Sequence, residues 1–369
     1  MLNQTTKFEK FLHGCRFCLM CKPASEVANV TFLECHTTRA HAMIIWRAMN
    51  NIQDYTSKDA ELLYQSNLDS ISEAFCVDHY PVSNYMLEAR RQIVSSGKIP
   101  ENVSKVFKRR QQIKTIENAC GIAILSAEGI EYGYEEAFER VKRIAEKHCI
   151  GVIHGFQGFT PYVLGNTQKA IEEAQDIIRA IVDSKIHTII ADGPDTWYCL
   201  TALYNEFGLN LPQNLKIINL TGYLYEKCSD TESEISGRKV FFHDARSAYY
   251  LCEVKPDEKI IMPDYSGPEE LLGKGYVYEQ PRTIIDSKNG IRLFSVWSRA
   301  LSRSFGNDEG LALVYPNIAI KMAQRKIHEL KSLSADYIIA DSLATVIYME
   351  KLGLHLSEKI KICWLPELL

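Results

Sequence analysis

The sequence predicts an α+β chain: a mostly helical amino-terminal part, then an α/β region of two repeated parallel-sheet subdomains. Three observations predict it. After about residue 115, short Ile/Val/Phe runs alternate with amphipathic stretches, the pattern of parallel strands covered on both faces by helices. Before that point no strand-like run is followed by a helix. Finally, HTIIADGPDTWYCL (His187–Leu200) and DYIIADSLATVIYM (Asp336–Met349) are alike enough to suggest an internal duplication. Domains are expected at 1–115, 116–235 and 236–369.

In the first domain, helices are expected around Thr38–Met49 and Asn84–Ser95, the latter stopped by SSGKIPEN with Gly97 and Pro100. The basic run KVFKRRQQIK (Lys105–Lys114) reads as a solvated helix face. The second domain begins with the apolar run GIAILSAE and the amphipathic helix YEEAFERVKRIAEKH. IGVIHGF, the helix NTQKAIEEAQDIIRAIVDS, HTIIADG, TWYCLTALYNEFG and LKIINLTG follow. The third repeats the theme with KVFFHDARSAYYL, IRLFSVWS, IAIKMAQRKIHELKSL, ADYIIADS and IKICWLP. Both ADG and ADS put an aspartate at the carboxyl end of a strand, the edge where open α/β sheets hold ligands.

Composition excludes some classes. The 369 residues carry 42 basic and 46 acidic side chains, a net charge of −4, so no nucleic-acid partner is expected. No apolar stretch approaches bilayer length, and MLNQTTKFEKF lacks the apolar core of a secretory signal; no membrane insertion and a cytoplasmic location are expected. The 11 cysteines would then be thiols or metal ligands. Of the scattered ones, Cys120, Cys149, Cys228, Cys252 and Cys363 read as small buried hydrophobes.

HGCRFCLMCKPASE is different. Cys15, Cys18 and Cys21 follow the C-x2-C-x2-C spacing of bacterial ferredoxins, but Ser25 and Glu26 stand where Cys-Pro would close the run. A [4Fe–4S] cluster here needs a fourth thiolate from elsewhere, and both Cys35 and Cys76 precede the α/β region. A zinc site of the triplet with Cys35 or His36 is the rival reading.

The stretch GCRFCLMCKPASEVANVTFLECHTTRAHAM resembles the opening of the iron–sulfur subunits of the heterodisulfide reductase, glycolate oxidase and anaerobic glycerol-3-phosphate dehydrogenase superfamily. Thr31, Glu34, Thr38, Arg39 and Ala42 match its Thr-Glu…Thr-x-Arg-x-x-Ala stretch, and LEARRQIVSSGKIPENV is similar to the tail of its second cysteine run. The resemblance implies a ferredoxin-like domain in which Cys76 returns to the first cluster. The other three cysteines of the second run are missing from YQSNLDSISEAF, as is one at Ser25, so one cluster is implied, held by Cys15, Cys18, Cys21 and Cys76.

The α/β half resembles the superfamily's cysteine-rich CCG domain, with VFFHDARSAYY at its His-Asp-Pro-Cys-His strand end and SVWSRA at its Cys-Cys-Gly. Those cysteines are absent, so that domain's own cluster is not carried over; Cys199 alone remains in the first repeat. What stands at the strand ends is Asp192, Asp195, His243, Asp244, Arg246, Arg299 and Asp341, and helix capping accounts for most such aspartates. His243, Asp244 and Arg246 are the catalytic or binding candidates, since imidazole, carboxylate and guanidinium together can orient an anion. The implied function is an electron-transfer subunit with one [4Fe–4S] cluster, working with a flavin-dependent oxidoreductase. The rival functions are a ligand-binding or enzymatic α/β half with a structural or sensory cluster, and a scaffold protein. No Gly-rich phosphate loop, G-x-S-x-G or HExxH occurs.

Overall fold

The computed structural model describes residues 7–76, 78, 80–118, 120–227, 233–251, 276–352 and 360–369. Among these, the segment before residue 114 contains seven α-helices and no strand. Local chemistry sets their starts. The Thr37 hydroxyl accepts from Ala40 N–H to begin the helix Thr38–Met49. Thr56 and Asp59 form a reciprocal capping box ahead of Ser57–Tyr64, and Asp59 also takes Arg47 Nη2 at 2.7 Å. The helix read near Asn84–Ser95 spans Val82–Ser95, starting directly after Pro81.

One expectation needs correction. The basic run is not a continuous solvated face, because the helix Glu101–Phe107 ends inside it. Arg109 turns inward, lies over the Phe156 ring at 3.9 Å and pairs with Glu131 and Glu173, each at 3.2 Å. Glu173 is fully buried and Glu131 nearly so, and buried carboxylates need a counter-charge.

Nine short strands form two sheets. The first holds β1 (Lys114–Ile116), β2 (Ile122–Ser126), β3 (Gly151–His154), β4 (Thr188–Ala191) and β5 (Lys216–Asn219), in the order β1-β3-β2-β4-β5. Only β1 is antiparallel, with Thr115 opposite Ile153. The second holds β6 (Lys239–His243), β7 (Ile291–Arg292), β8 (Tyr337–Ala340) and β9 (Lys361–Trp364), in the order β7-β6-β8-β9, all parallel. Setting β1 aside, the two orders coincide strand for strand, with β4 and β8 in equivalent places. The likeness of ADG and ADS therefore corresponds to a repeated topology. IRLFSVWS contributes only two strand residues.

Three apolar clusters hold these layers together. One face of the first sheet, through Leu125, Ile153 and Ile189, packs on the amino-terminal helices through Leu12, Ile45, Leu63 and Met86. Its other face, through Ile124, Val152 and Ile190, shares a core with Val240, Phe242 and Ile339 of the second sheet. The opposite face of the second sheet, Phe241 and Ile338, packs on Met322, Ile327 and Val27. Strands buried on both faces explain why they read as unbroken apolar runs. No helix of the described residues is long and apolar enough to cross a membrane.

Candidate functional site

The cysteine loop is a chain of tight turns. Cys15 closes the helix Glu9–Cys15; Cys18 N–H donates to Cys15 O at 3.1 Å, and Ala24 N–H to Cys21 O at 2.9 Å. Cys76 arrives from far along the chain as the cap of the helix Ser70–Phe75. Cys15 is buried, Cys21 and Cys76 are half-buried and Cys18 is exposed.

The helix that Cys76 caps packs through Ile71 and Ala74 on Ala24, three residues after Cys21. Burial pushes the Cys15 thiol up to about 12; the Tyr85 hydroxyl at 3.2 Å opposes this, and the charges of Cys21, Cys76 and Cys18 add to it. Burial likewise pushes Cys21 up to about 11, with the Thr38 and Ser72 hydroxyls opposing and Asp69 and Cys76 adding. The tyrosine Tyr80 feels Cys76, Cys15 and Cys18 together. Cys35 is not among the principal influences on Cys15 or Cys21; it acts on Lys58 instead. Both ring nitrogens of His36 are engaged, Nδ1 with Thr31 Oγ1 and Nε2 with Gln65 Oε1, each at 2.8 Å.

Among the described residues, no three His, Cys, Asp or Glu side chains are grouped as a metal ion would need. A cubane spreads its four terminal sulfurs over four irons, so its ligands need no common point. Cys15 and Cys21, whose thiolates are disfavoured by burial, would gain from a positively charged iron core. Hydroxyl donors from Tyr85 and Ser72 stand ready as sulfur hydrogen-bond partners.

Small polar side chains crowd the segment before Cys76 and the turn after Cys21. Ser25, Ser66, Asn67, Ser70 and Ser72 are all fully buried. Asn67 Nδ2 donates to Glu26 at 2.6 Å, Ser304 N–H donates to the same carboxylate, and His41 Nδ1 meets Asp69 Oδ2 at 2.8 Å.

The proposed anion-orienting group is not built as expected. His243, Asp244 and Arg246 are all buried, and two of them spend their polar atoms inside the protein. Asp244 holds Arg282 through both oxygens, at 2.8 and 2.9 Å, and accepts Arg299 N–H at 2.7 Å. Burial disfavours its charge, but the Arg282 guanidinium prevails and holds the carboxyl below its ordinary range. Arg246 donates to Ser70 Oγ and to the Ala300 and Ser302 carbonyls. His243 stacks edge-on against Phe305 at 4.7 Å, and burial pushes its pKa down to about 3. Asp192 is a strand-end brace: it accepts from Ala127 N–H, Glu128 N–H and Thr196 Oγ1.

The scattered thiols also divide differently. Cys199 is buried and Cys363 half-buried, but Cys120 and Cys149 are exposed, because they sit in the turns entering β2 and β3. Cys228 and Cys252 lie outside the described residues.

The carboxyl edges of the sheets do face a common space. A cavity of about 160 Å³ lies where β4, β5 and β8 end, lined among others by Gly193, Pro194, Trp197, Asn219, Gln280 and Asp341. Of these only Asp341 was singled out by sequence. Asn219 closes LKIIN as Asp192 closes HTIIA, so the strand-end rule could have found it; Trp197 and Gln280 carried no such signal.

Buried carboxyls crowd this region. Burial raises Asp192 and Asp341 to about 6, Asp195 to about 7 and Glu309 to about 8, and Glu128 well above its usual range. The folded protein thus keeps protons that the unfolded chain has lost, and stability falls as pH rises toward about 8. His243, down to about 3, and His154, down to about 4, work oppositely: their contribution is present above 6.5 and lost as pH falls. The two effects oppose each other below about 6.5, leaving only the carboxyls above it. Five raised carboxyls outweigh two lowered histidines, so the thermal midpoint should fall by several degrees between about pH 5 and about pH 8. A midpoint that is flat or rising across that interval contradicts the assignment.

No protein-family model matches the chain, and no curated protein matches it. A solved structure described as a hypothetical protein from Helicobacter pylori is similar, with a TM-score of 0.52 and 12% sequence identity over 90% of this chain. The chain spans 66% of the length of that protein. The likeness is one of fold.

Proposed function

We propose that this chain is an iron–sulfur electron-transfer subunit of the heterodisulfide reductase and glycolate oxidase iron–sulfur superfamily. Cys15, Cys18, Cys21 and Cys76 would hold one [4Fe–4S] cluster, and a flavin-dependent oxidoreductase would be the partner. The observation that carries the reading is that the helix Ser70–Phe75, which Cys76 caps, packs through Ile71 and Ala74 on Ala24, three residues after Cys21. Such a cluster supplies one-electron chemistry.

The chain's own groups suit that role. A hydroxyl bond from Tyr85 to Cys15 and one from Ser72 to Cys21, with Thr38 donating to Ser72, would favour electron density on sulfur and raise the potential, while the Asp69 carboxylate would lower it. Cys18 opens outward between exposed apolar side chains, with Phe17 69% exposed and Leu19 and Met20 about half. The Lys22–Glu34 pair at 2.9 Å brings the neighbouring loop alongside, where Phe32 is 89% exposed. An apolar surface around an outward-facing thiol fits a docking face for a redox partner.

The test is anaerobic purification with iron and sulfide analysis, followed by a redox titration monitored by electron paramagnetic resonance. A reversible one-electron signal, restored by a reduced flavoprotein, is expected. Protein without iron and sulfide would overturn the cofactor, and a centre that never changes oxidation state would overturn the electron-transfer role.

A further inference from the structure

We propose that the cavity between the carboxyl edges of the two sheets binds a small organic ammonium ion. Parallel sheets collect ligands at this edge, and here β4 and β5 of one sheet and β8 of the other open onto one space. At about 160 Å³ the cavity is the size that holds a benzene-sized guest.

The lining chooses the charge. Among the described lining residues there is no Lys, Arg or His, and the polar groups are the Asp341 carboxylate and the Asn219 and Gln280 carboxamides. Asp341 receives the Thr221 hydroxyl, and no cation is among the principal influences on it. An anion would meet that carboxylate with nothing to offset it, and an apolar guest would strip water from it without replacement. An ammonium group satisfies it. Trp197 adds an indole to the wall, a surface that attracts cations, and Pro194 adds apolar contact for a methylene or methyl group.

A second carboxyl, Glu128, lies behind the same wall. A Cβ built on Gly193 would stand 2.3 Å from Glu128 Cδ, so the carboxyl rests directly against this lining glycine. Glu128 Oε1 accepts Asp195 N–H at 2.7 Å; Oε2 is buried without a partner in bonding geometry, although the Ser342 hydroxyl lies in its neighbourhood. The strongest charges acting on Glu128 are Asp195 and Asp192, both acidic. A divalent metal would demand several oxygens converging at short range, and no group of three is found among the described residues.

Calorimetric titration of the full chain with choline tests this, against its uncharged isostere 3,3-dimethylbutan-1-ol and against glycolate as an anion. Choline should bind saturably and raise the thermal midpoint, with the isostere about tenfold weaker or more. Asp341→Asn should weaken choline binding by about tenfold, and Asn219→Asp, which adds a carboxylate, should tighten it a few-fold. The inference falls if choline does not bind, if the isostere or glycolate binds as well, or if Asn219→Asp leaves the affinity unchanged. The cavity shares no residue with the cysteine loop, so this result and the iron analysis stand or fall separately.

Discussion

If the natural chain holds the proposed cluster, with about four irons, Cys76→Ser protein purified without oxygen should lose most of its iron and sulfide. Serine keeps the size of the side chain but replaces a soft thiolate with a hydroxyl that ionises far less readily. Position 76 caps a short helix and is half-buried, so the change should leave the fold intact, which circular dichroism can verify. Cys35→Ser is the control: that thiol lies toward Lys58, and its removal should leave the iron content unchanged. Cys15→Ser is a poorer probe, because this thiol is buried against the Tyr85 hydroxyl and its loss would mix folding with binding. Equal iron in the Cys76→Ser and natural proteins would remove the ligand assignment; loss in Cys35→Ser instead would move it.

Arg246→Met should cost roughly 3–5 kcal/mol of stability, read as a shift of the denaturant midpoint. Arg246 is 1% exposed and ties its strand end to two other parts of the chain: Ser70 of the amino-terminal helices at 2.8 and 3.0 Å, and the Ala300 and Ser302 carbonyls at 3.0 Å. Its charge also faces Glu26, Glu309 and Asp308. Methionine fills comparable volume but leaves the two buried carbonyls without their donor and the neighbouring carboxyls without their counter-charge. A variant as stable as the natural protein, yet altered in binding a small anion, would restore the ligand-orienting role that the sequence suggested.

The contrast between Cys76 and Arg246 shows how far sequence reading reaches. The helix around Thr38–Met49 was legible because its periodicity is local. So were the strands around Ile124, Ile190 and Ile339, because burial on both faces leaves an unbroken apolar run. Arg246 was visible only as a charge at a strand end. Nothing near it in the chain announced that Ser70, 176 residues earlier, would occupy its donors. Arg109 misled for the same reason: a run of basic residues looks solvated until Glu131 and Glu173 are brought over it.

By itself, then, the sequence determined the α+β class, the doubled strand–helix pattern and the cysteine spacing near the amino terminus. The tertiary structure alone decided which charged strand-end residues are consumed by internal pairing, and that both sheets open onto one cavity lined by Asp341 and two carboxamides. Secondary structure and spacing depend on chain neighbours within a turn or two, which composition and period reveal. Burial and charge pairing depend on residues far apart in the chain, and their balance of desolvation against partnership exists only once the layers have packed.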